Sequence, residues 1–232
     1  MGNRASAIGT AGAPRPLRLA VLASGRGSNL QAIIDAIAAG TLEAELAGVF
    51  SDRPDALALQ RARDAGIASG ALRARGFGSR EEFDAAFFAR VATVAPDIVV
   101  CAGYMRIIGA DAVAGLHGRM INIHPSLLPD FKGLHTHRRA LEAGVAEHGA
   151  SVHFVTADLD GGPVIAQARV PVLPGDDEDR LAARVLEREH PLLLEVLRWL
   201  AAGRIALHEH SVHVDGTART APLQLGSNNR FA

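Results

Sequence analysis

Apolar positions along the chain switch between two spacings, and the switching predicts strands and helices by turns. Leu17 to Ser24 is a short apolar run ending in a glycine-rich turn, the pattern of a buried strand. Leu30, Ile33, Ile34 and Ile37 then recur at helical spacing, with Ser28 or Asn29 placed to cap that helix and Gly40 to stop it. Ala44 to Ser51 reads as a second strand, and Pro54 opens a helix that runs to Gly66. A third short strand is expected near Ile67 to Leu72, followed by a helix from Arg80 to Val94. Asp97–Cys101 and Met120–His124 are two further buried strands. Repeated βα units of this kind imply an α/β fold: an open, mostly parallel twisted sheet with helices on both faces.

The pattern changes in the second half. Ser151–Thr156 and Val164–Val172 alternate loosely and are joined by the turn signal Asp160-Gly161-Gly162-Pro163, which predicts a hairpin extending the sheet with mixed carboxy-terminal strands. A long amphipathic helix is expected over Asp177–Leu200, kinked or broken by Pro191. Short strands at Ile205–His208 and Val212–Val214 follow. Residues 1–16 read as a loose tail and 216–232 as a frayed one. A single domain over 17–215 is the economical reading.

Composition narrows the function. The chain has 232 residues, 48 % hydrophobic and 21 % charged, with a formal net charge of -1. No block of basic residues points to nucleic acid or an anionic membrane as a partner. No apolar run approaches the ~18 residues of a spanning helix. A lone cysteine, Cys101, lies in the apolar run Ile98-Val99-Val100-Cys101 and suits a core position in a protein of the reducing cytoplasm. Lys132 is the only lysine, so no Walker-type nucleotide loop exists and Schiff-base chemistry has one candidate only. GxSxG elbows and paired CxxC motifs are absent.

In an open parallel sheet, ligands bind beyond the carboxyl ends of the strands, and three segments fall there. Ser24-Gly25-Arg26-Gly27-Ser28-Asn29 lets backbone approach an anion at a helix start. Leu30 stands where a dinucleotide fingerprint needs glycine, so a single phosphate fits better; a tight turn with a serine cap is the plainer alternative. Asn122-Ile123-His124-Pro125 ends a strand and puts Asn122 and His124 on one face, about 6–7 Å apart. Together they could grip one carbonyl oxygen, although a histidine at a strand end is often structural. Asp160, just before two glycines, is either a turn cap or a carboxylate aimed into the cleft. Beside His124 it would raise the imidazole pKa and fix its orientation.

Taken together, SGRGSNLQAII, GYMRII, NIHPSLLP, GLHTHRRALEAG and SVHFVTADLDGGPVI resemble the successive signatures of the folate-dependent glycinamide ribonucleotide transformylases, in the formyltransferase family. The resemblance runs from about Leu17 to Leu207. It implies a Rossmann-like formyltransferase fold, with a phosphate-binding half over 17–120 and a folate and catalytic half over 121–215. It implies transfer of formyl from 10-formyltetrahydrofolate, as co-substrate, to the amine of 5-phosphoribosylglycinamide, without a metal. By the same resemblance Asn122, His124 and Asp160 are the catalytic set. Gly27, Ser28, Asn29 and Glu189 hold the phosphorylated acceptor. Arg80, Met105, Arg106, Ile107 and Ile108 line the folate pocket with Asn122 and the loop Thr156, Ala157, Asp158, Leu159 and Asp160. A protonated His124 and the Asn122 amide donate to the formyl oxygen, and Asp160 keeps His124 charged.

The expected partners are small molecules only, and the expected assembly is a monomer or homodimer. His135/His137 and His208/His210 have ligand-like spacing, but no cysteine or carboxylate pair joins them, and loop or structural roles are expected. Two enzyme rivals remain. A formyltetrahydrofolate deformylase is expected to carry an extra amino-terminal domain, and a methionyl-tRNA formyltransferase a basic tRNA-binding one. A folate- or nucleotide-sugar-binding protein without turnover is the alternative outside the enzymes.

Overall fold

The computed structural model describes residues 15–231, so most of the expected amino-terminal tail, residues 1–14, lies outside the described residues. Arg15, placed in that tail, is instead tied by both guanidinium nitrogens to Asp97, at 2.7 Å each. The elements follow in order as β1 (Leu17–Leu22), α1 (Ser28–Ala38), β2 (Ala44–Ser51), α2 (Leu57–Asp64), β3 (Ser69–Ala71), α3 (Arg80–Ala92), β4 (Ile98–Cys101), α4 (Ala110–Gly115) and β5 (Met120–His124). Next come α5 (Thr136–Glu142), β6 (Glu147–Phe154), β7 (Val164–Pro171), α6 (Glu178–Ala201), β8 (Ile205–His208), β9 (Ser211–Val214), β10 (Thr217–Ala218) and β11 (Leu223–Gln224).

Eight strands form the main sheet in the order β11-β7-β6-β5-β4-β1-β2-β3. The strands from β3 across to β5 pair in parallel, and β6 pairs antiparallel with both β5 and β7. Strand alternation divides the core between the two faces. Leu19, Val21, Ile98, Val100, Ile121 and Ile123 point to the side covered by α1, α2 and α6, while Ala20, Leu22, Val99, Cys101 and Met120 point to the aromatic cluster of α3. On that second face Phe83, Phe87 and Tyr104 stack in sequence. Each fully buried side chain of this size contributes about 1.5–3 kcal/mol. The chain reverses direction between β2 and β4, which lie on opposite sides of β1. That switch point opens the sheet at the ends of β1 and β4.

Several expectations are corrected. No side chain caps α1: its N-cap is Gly27 at φ 72, left-handed, with Ser28 already in the helix. A Cβ on Gly27 would sit 2.8 Å from that of Ala58, so close packing against α2 selects glycine there. Pro54 lies in the preceding turn, and α2 begins only at Leu57. Helix α6 runs unbroken through Pro191. Its missing N–H leaves the Glu187 carbonyl without a helical donor, at an exposed residue.

The stretch after residue 215, expected to fray, is docked as far as Phe231. β10 pairs with β9, and β11 extends the main sheet beside β7. Arg188 of α6 holds the carbonyls of Leu225 and Gly226, Arg230 pairs with the buried Glu195, and Phe231 packs edge-on to Trp199. These anchors all lie on α6, beyond the reach of any local pattern.

Candidate active site

Two cavities flank the switch point. One is formed by the glycine loop. Ser24 Oγ donates to Asp52 and accepts from the Met105 N–H, tying the end of β1 to the loop after β4. The Ala58 N–H donates to the Gly25 carbonyl, and Arg61 holds the Arg26 carbonyl. The loop is thus shaped from outside while the first-turn amides of α1 stay free of any capping side chain. Ser24 to Asn29, Arg53, Met105 and Glu189 line this cavity. Asn29 Nδ2 donates to Glu189 Oε2 at 2.8 Å, linking α1 to α6 across the cavity wall. Burial holds the Glu189 carboxyl above the usual carboxylate range, against the pull of Asn29.

The second cavity is a cleft beyond the carboxyl ends of β4 and β5. Arg106, Ile107 and Ile108 line it from the loop after β4, Asn122 from β5, and Thr156 to Asp160 from the turn after β6. Two expected residues fall elsewhere. Met105 faces the glycine-loop cavity and is 62 % exposed. Arg80 lines neither cavity; it is exposed at the start of α3, its Cδ near Gly109.

Asn122, His124 and Asp160 do converge. The antiparallel register sets His153 opposite Asn122 and Ser151 opposite His124, all on one face. Asp160, at φ 47, reaches back between two imidazoles. Its Oδ2 lies 3.5 Å from His124 Nδ1 and its Oδ1 3.6 Å from His153 Nε2, while the Gly133 N–H donates to Oδ2 at 2.9 Å. The two glycines that follow are dictated by contact: a Cβ at Gly162 would lie 1.8 Å from the Phe154 carbonyl oxygen. Lys132, assigned no part above, brings its Nζ close to Gly161.

His153 is the residue that the sequence reading missed. It lines the cleft with Asn122 and Asp160, and like His124 it is buried. The available signal was register, since His153 sits two residues from Ser151 on a strand paired with β5. Its Nδ1 donates to the Phe154 carbonyl, which leaves Nε2 to accept from Asn122 Nδ2 at 3.1 Å. That bond fixes which end of the Asn122 amide faces the cleft.

His124 Nε2 donates to the Phe131 carbonyl at 3.2 Å, since a carbonyl can only accept. The neutral ring therefore turns an Nδ1 lone pair toward Asp160, and the pair has room for one proton between them. The expectation that Asp160 keeps His124 charged is corrected. Burial lowers the imidazole pKa by more than Asp160 and the Phe131 carbonyl raise it, so His124 rests neutral. Burial also pushes Asp160 upward, but the neighbouring His153 imidazole and the Gly133 N–H bond, with His124 on the other side, hold it below the usual range. Cys101, also on the cleft, is pushed up to about 12 by burial and stays a thiol.

Among the described residues no group of three or more His, Cys, Asp or Glu side chains has metal-holding geometry, and no helix is long and apolar enough to cross a membrane. His135 opens α5, His137 packs on His148, and His208 meets His213 edge-on.

Residues 17–197 match the family described as formyl transferase. The chain is 52 % identical over 200 residues to the phosphoribosylglycinamide formyltransferase of Escherichia coli K12, covering 86 % of this chain and 94 % of that protein. Its counterpart in Haemophilus influenzae is 41 % identical over 201 residues, covering 87 % and 95 %. The solved phosphoribosylglycinamide formyltransferase of Coxiella burnetii, in complex with CHES, superposes with a TM-score of 0.85 at 48 % identity, covering 88 % of this chain and 96 % of that one.

Proposed function

The chain belongs to the formyl transferase family, and from that premise we propose that it moves the formyl group of 10-formyltetrahydrofolate onto the amine of 5-phosphoribosylglycinamide. The products are formylglycinamide ribonucleotide and tetrahydrofolate, a step of de novo purine biosynthesis in the cytoplasm. The observation that carries this reading is the meeting of Asn122 and Asp160 on one cleft wall, one strand end away from the glycine loop.

The acceptor phosphate rests on the backbone amides of Gly27, Ser28 and Asn29, where a helix start favours an anion. Glu189 takes the ribose or amine end. The folate fills the cleft lined by Arg106, Ile107, Ile108 and Thr156 to Asp160. As the amine nitrogen bonds to the formyl carbon, the carbonyl electron pair moves onto oxygen. Asn122 has one N–H on His153 and gives the other to that oxygen. Loss of such a donor typically costs ~10²–10³ in turnover. The amine proton passes to the site between Asp160 and His124, and N10 gains a proton as its bond to the formyl carbon breaks. His153 is a positioning residue that orients the amide.

Folate product release, measured with and without the phosphorylated amine, tests the reading. Consumption of formylfolate is expected to be very slow without acceptor, and the dephosphorylated amine to serve poorly with a much raised KM. Rapid turnover in plain buffer would mean that water is the acceptor and the chain a hydrolase.

A further inference from the structure

The glycine loop alone offers a phosphate too little charge. A helix start contributes about half a positive charge, whereas a phosphate monoester carries about -1.5 to -2 at neutral pH. The nearest acids do not help: Asp52 is bonded by Ser24, and Glu189 is bonded by Asn29. Two guanidiniums share the cavity wall, Arg26 within the loop and Arg53 just after β2. Both also line the shallow recess that continues the cavity toward Asp55 and Leu57.

The pairing of arginines elsewhere in the fold gives a contrast. Arg15, Arg18, Arg184 and Arg204 are each locked to a carboxylate. Arg61 is occupied with the Arg26 carbonyl and the Gln31 side chain. Arg26 and Arg53 are exposed, and among the described residues neither guanidinium is bonded to a carboxylate or carbonyl. Unpaired positive charge on both sides of an anion loop raises the local anion concentration and supplies planar donors that match phosphate oxygens.

A second observation at the same cavity points to a ligand. Asn29 is 8 % exposed, yet its Oδ1 has no hydrogen-bond partner, its Nδ2 being held by Glu189. A buried carbonyl oxygen without a donor calls for a hydroxyl or amine from a bound molecule. The cavity therefore has an anion end, at Arg26, Arg53 and the start of α1, and a donor-seeking end at Asn29 and Glu189.

We propose that Arg26 and Arg53 clamp the phosphate of the acceptor and make a phosphorylated amine the preferred substrate. The assignment rests on the acceptor site described under the proposed function. Because a clamp of this kind holds the phosphate equally in ground and transition states, it acts on binding and leaves the chemical step alone.

Arg26→Gln and Arg53→Gln are each expected to raise the acceptor KM about tenfold, and the double variant about a hundredfold. The folate KM and kcat stay within about twofold. Lysine at either position restores part of the loss, and the double variant loses most of the salt dependence of the acceptor KM. Equilibrium dialysis of inorganic phosphate against the whole protein provides an independent reading, with the double variant expected to lose most phosphate binding. An unchanged acceptor KM with unchanged phosphate binding in the double variant overturns the clamp, as does a fall in kcat at constant KM. If the unaltered protein transfers no formyl group but loses phosphate binding on R26Q/R53Q, the clamp stands and the proposed reaction falls.

Discussion

The two cavities beside the switch point handle charge in opposite ways. In the glycine-loop cavity the positive groups are exposed, unpaired and carried on backbone amides and arginines, so the site meets its anion with little rearrangement. In the cleft the titratable groups are buried and gathered together: Asp160 lies between His124 and His153, with its side chain 10 % exposed. The first arrangement suits a group whose charge is constant through the reaction. The second suits a charge that exists only briefly, because burial holds His124 neutral until a proton arrives. Substitutions on the two sides should therefore divide between binding and rate.

The largest effect is expected at the buried side. Asp160→Asn keeps the shape but removes the carboxylate that completes the proton site, and kcat should fall by about 10²–10⁴. Folate affinity, measured by equilibrium binding, should stay within about tenfold. The residual activity should also show its acid limb at lower pH than the unaltered protein. Without Asp160, burial lowers the His124 pKa further, and the neutral ring persists to lower pH. Near-normal turnover in this variant removes Asp160 from the reaction.

The parts of this site that were legible in the sequence are those carried by short-range pattern. Buried strands such as Ala44–Ser51 and Met120–His124 showed their full extent as apolar runs bounded by turns. The carboxyl-end rule then led to the glycine loop, Asn122 and His124. What stayed hidden depends on pairs distant in sequence. His153 becomes a site residue only through the register of β6 on β5. The start of β6 at Glu147 was masked by its polar opening, although Gly149 must be small to pass Ala168. Helices α4 and α5, of six and seven residues, are too short to show a period. The sign of the His124 shift needed a burial that no spacing reveals.

Glu189 joins the two regions, being buried like the cleft residues but facing the acceptor cavity, and it should give an intermediate effect. With its carboxyl held above the usual range by burial, Glu189→Gln mimics the protonated acid and keeps an acceptor for Asn29. At low pH the variant should match the unaltered protein. As pH rises and Glu189 ionises, the acceptor KM of the variant should become about three- to tenfold higher. The comparison is made by acceptor KM across the pH range. A loss of kcat at all pH values would move Glu189 to the reacting atoms instead.

The smallest effect on turnover, and the sharpest on stability, is expected behind the cleft at His148. This side chain is 0 % exposed, neither ring nitrogen has a hydrogen-bond partner, and it packs against Phe131 and His137. Burial, with the nearby His137 and His124, lowers its pKa to about 4, and the Pro125 carbonyl pulls weakly the other way. Its folded pKa is depressed, so the unfolded chain binds the proton first as pH falls. The stability is fully present above the ordinary histidine range and is lost as pH drops toward about 4. A shift of that size corresponds to up to about 3 kcal/mol. His148→Phe keeps a flat ring against Phe131 and removes the titration. Urea midpoints taken from neutral pH down through this window should fall less steeply in the variant, with kcat at neutral pH changed by less than about twofold. Some slope must survive, because His124, His137 and His190 are shifted the same way by burial. A variant whose midpoint falls as steeply as that of the unaltered protein would show that His148 takes up no proton on acid unfolding, and that its neutral state contributes nothing to the fold.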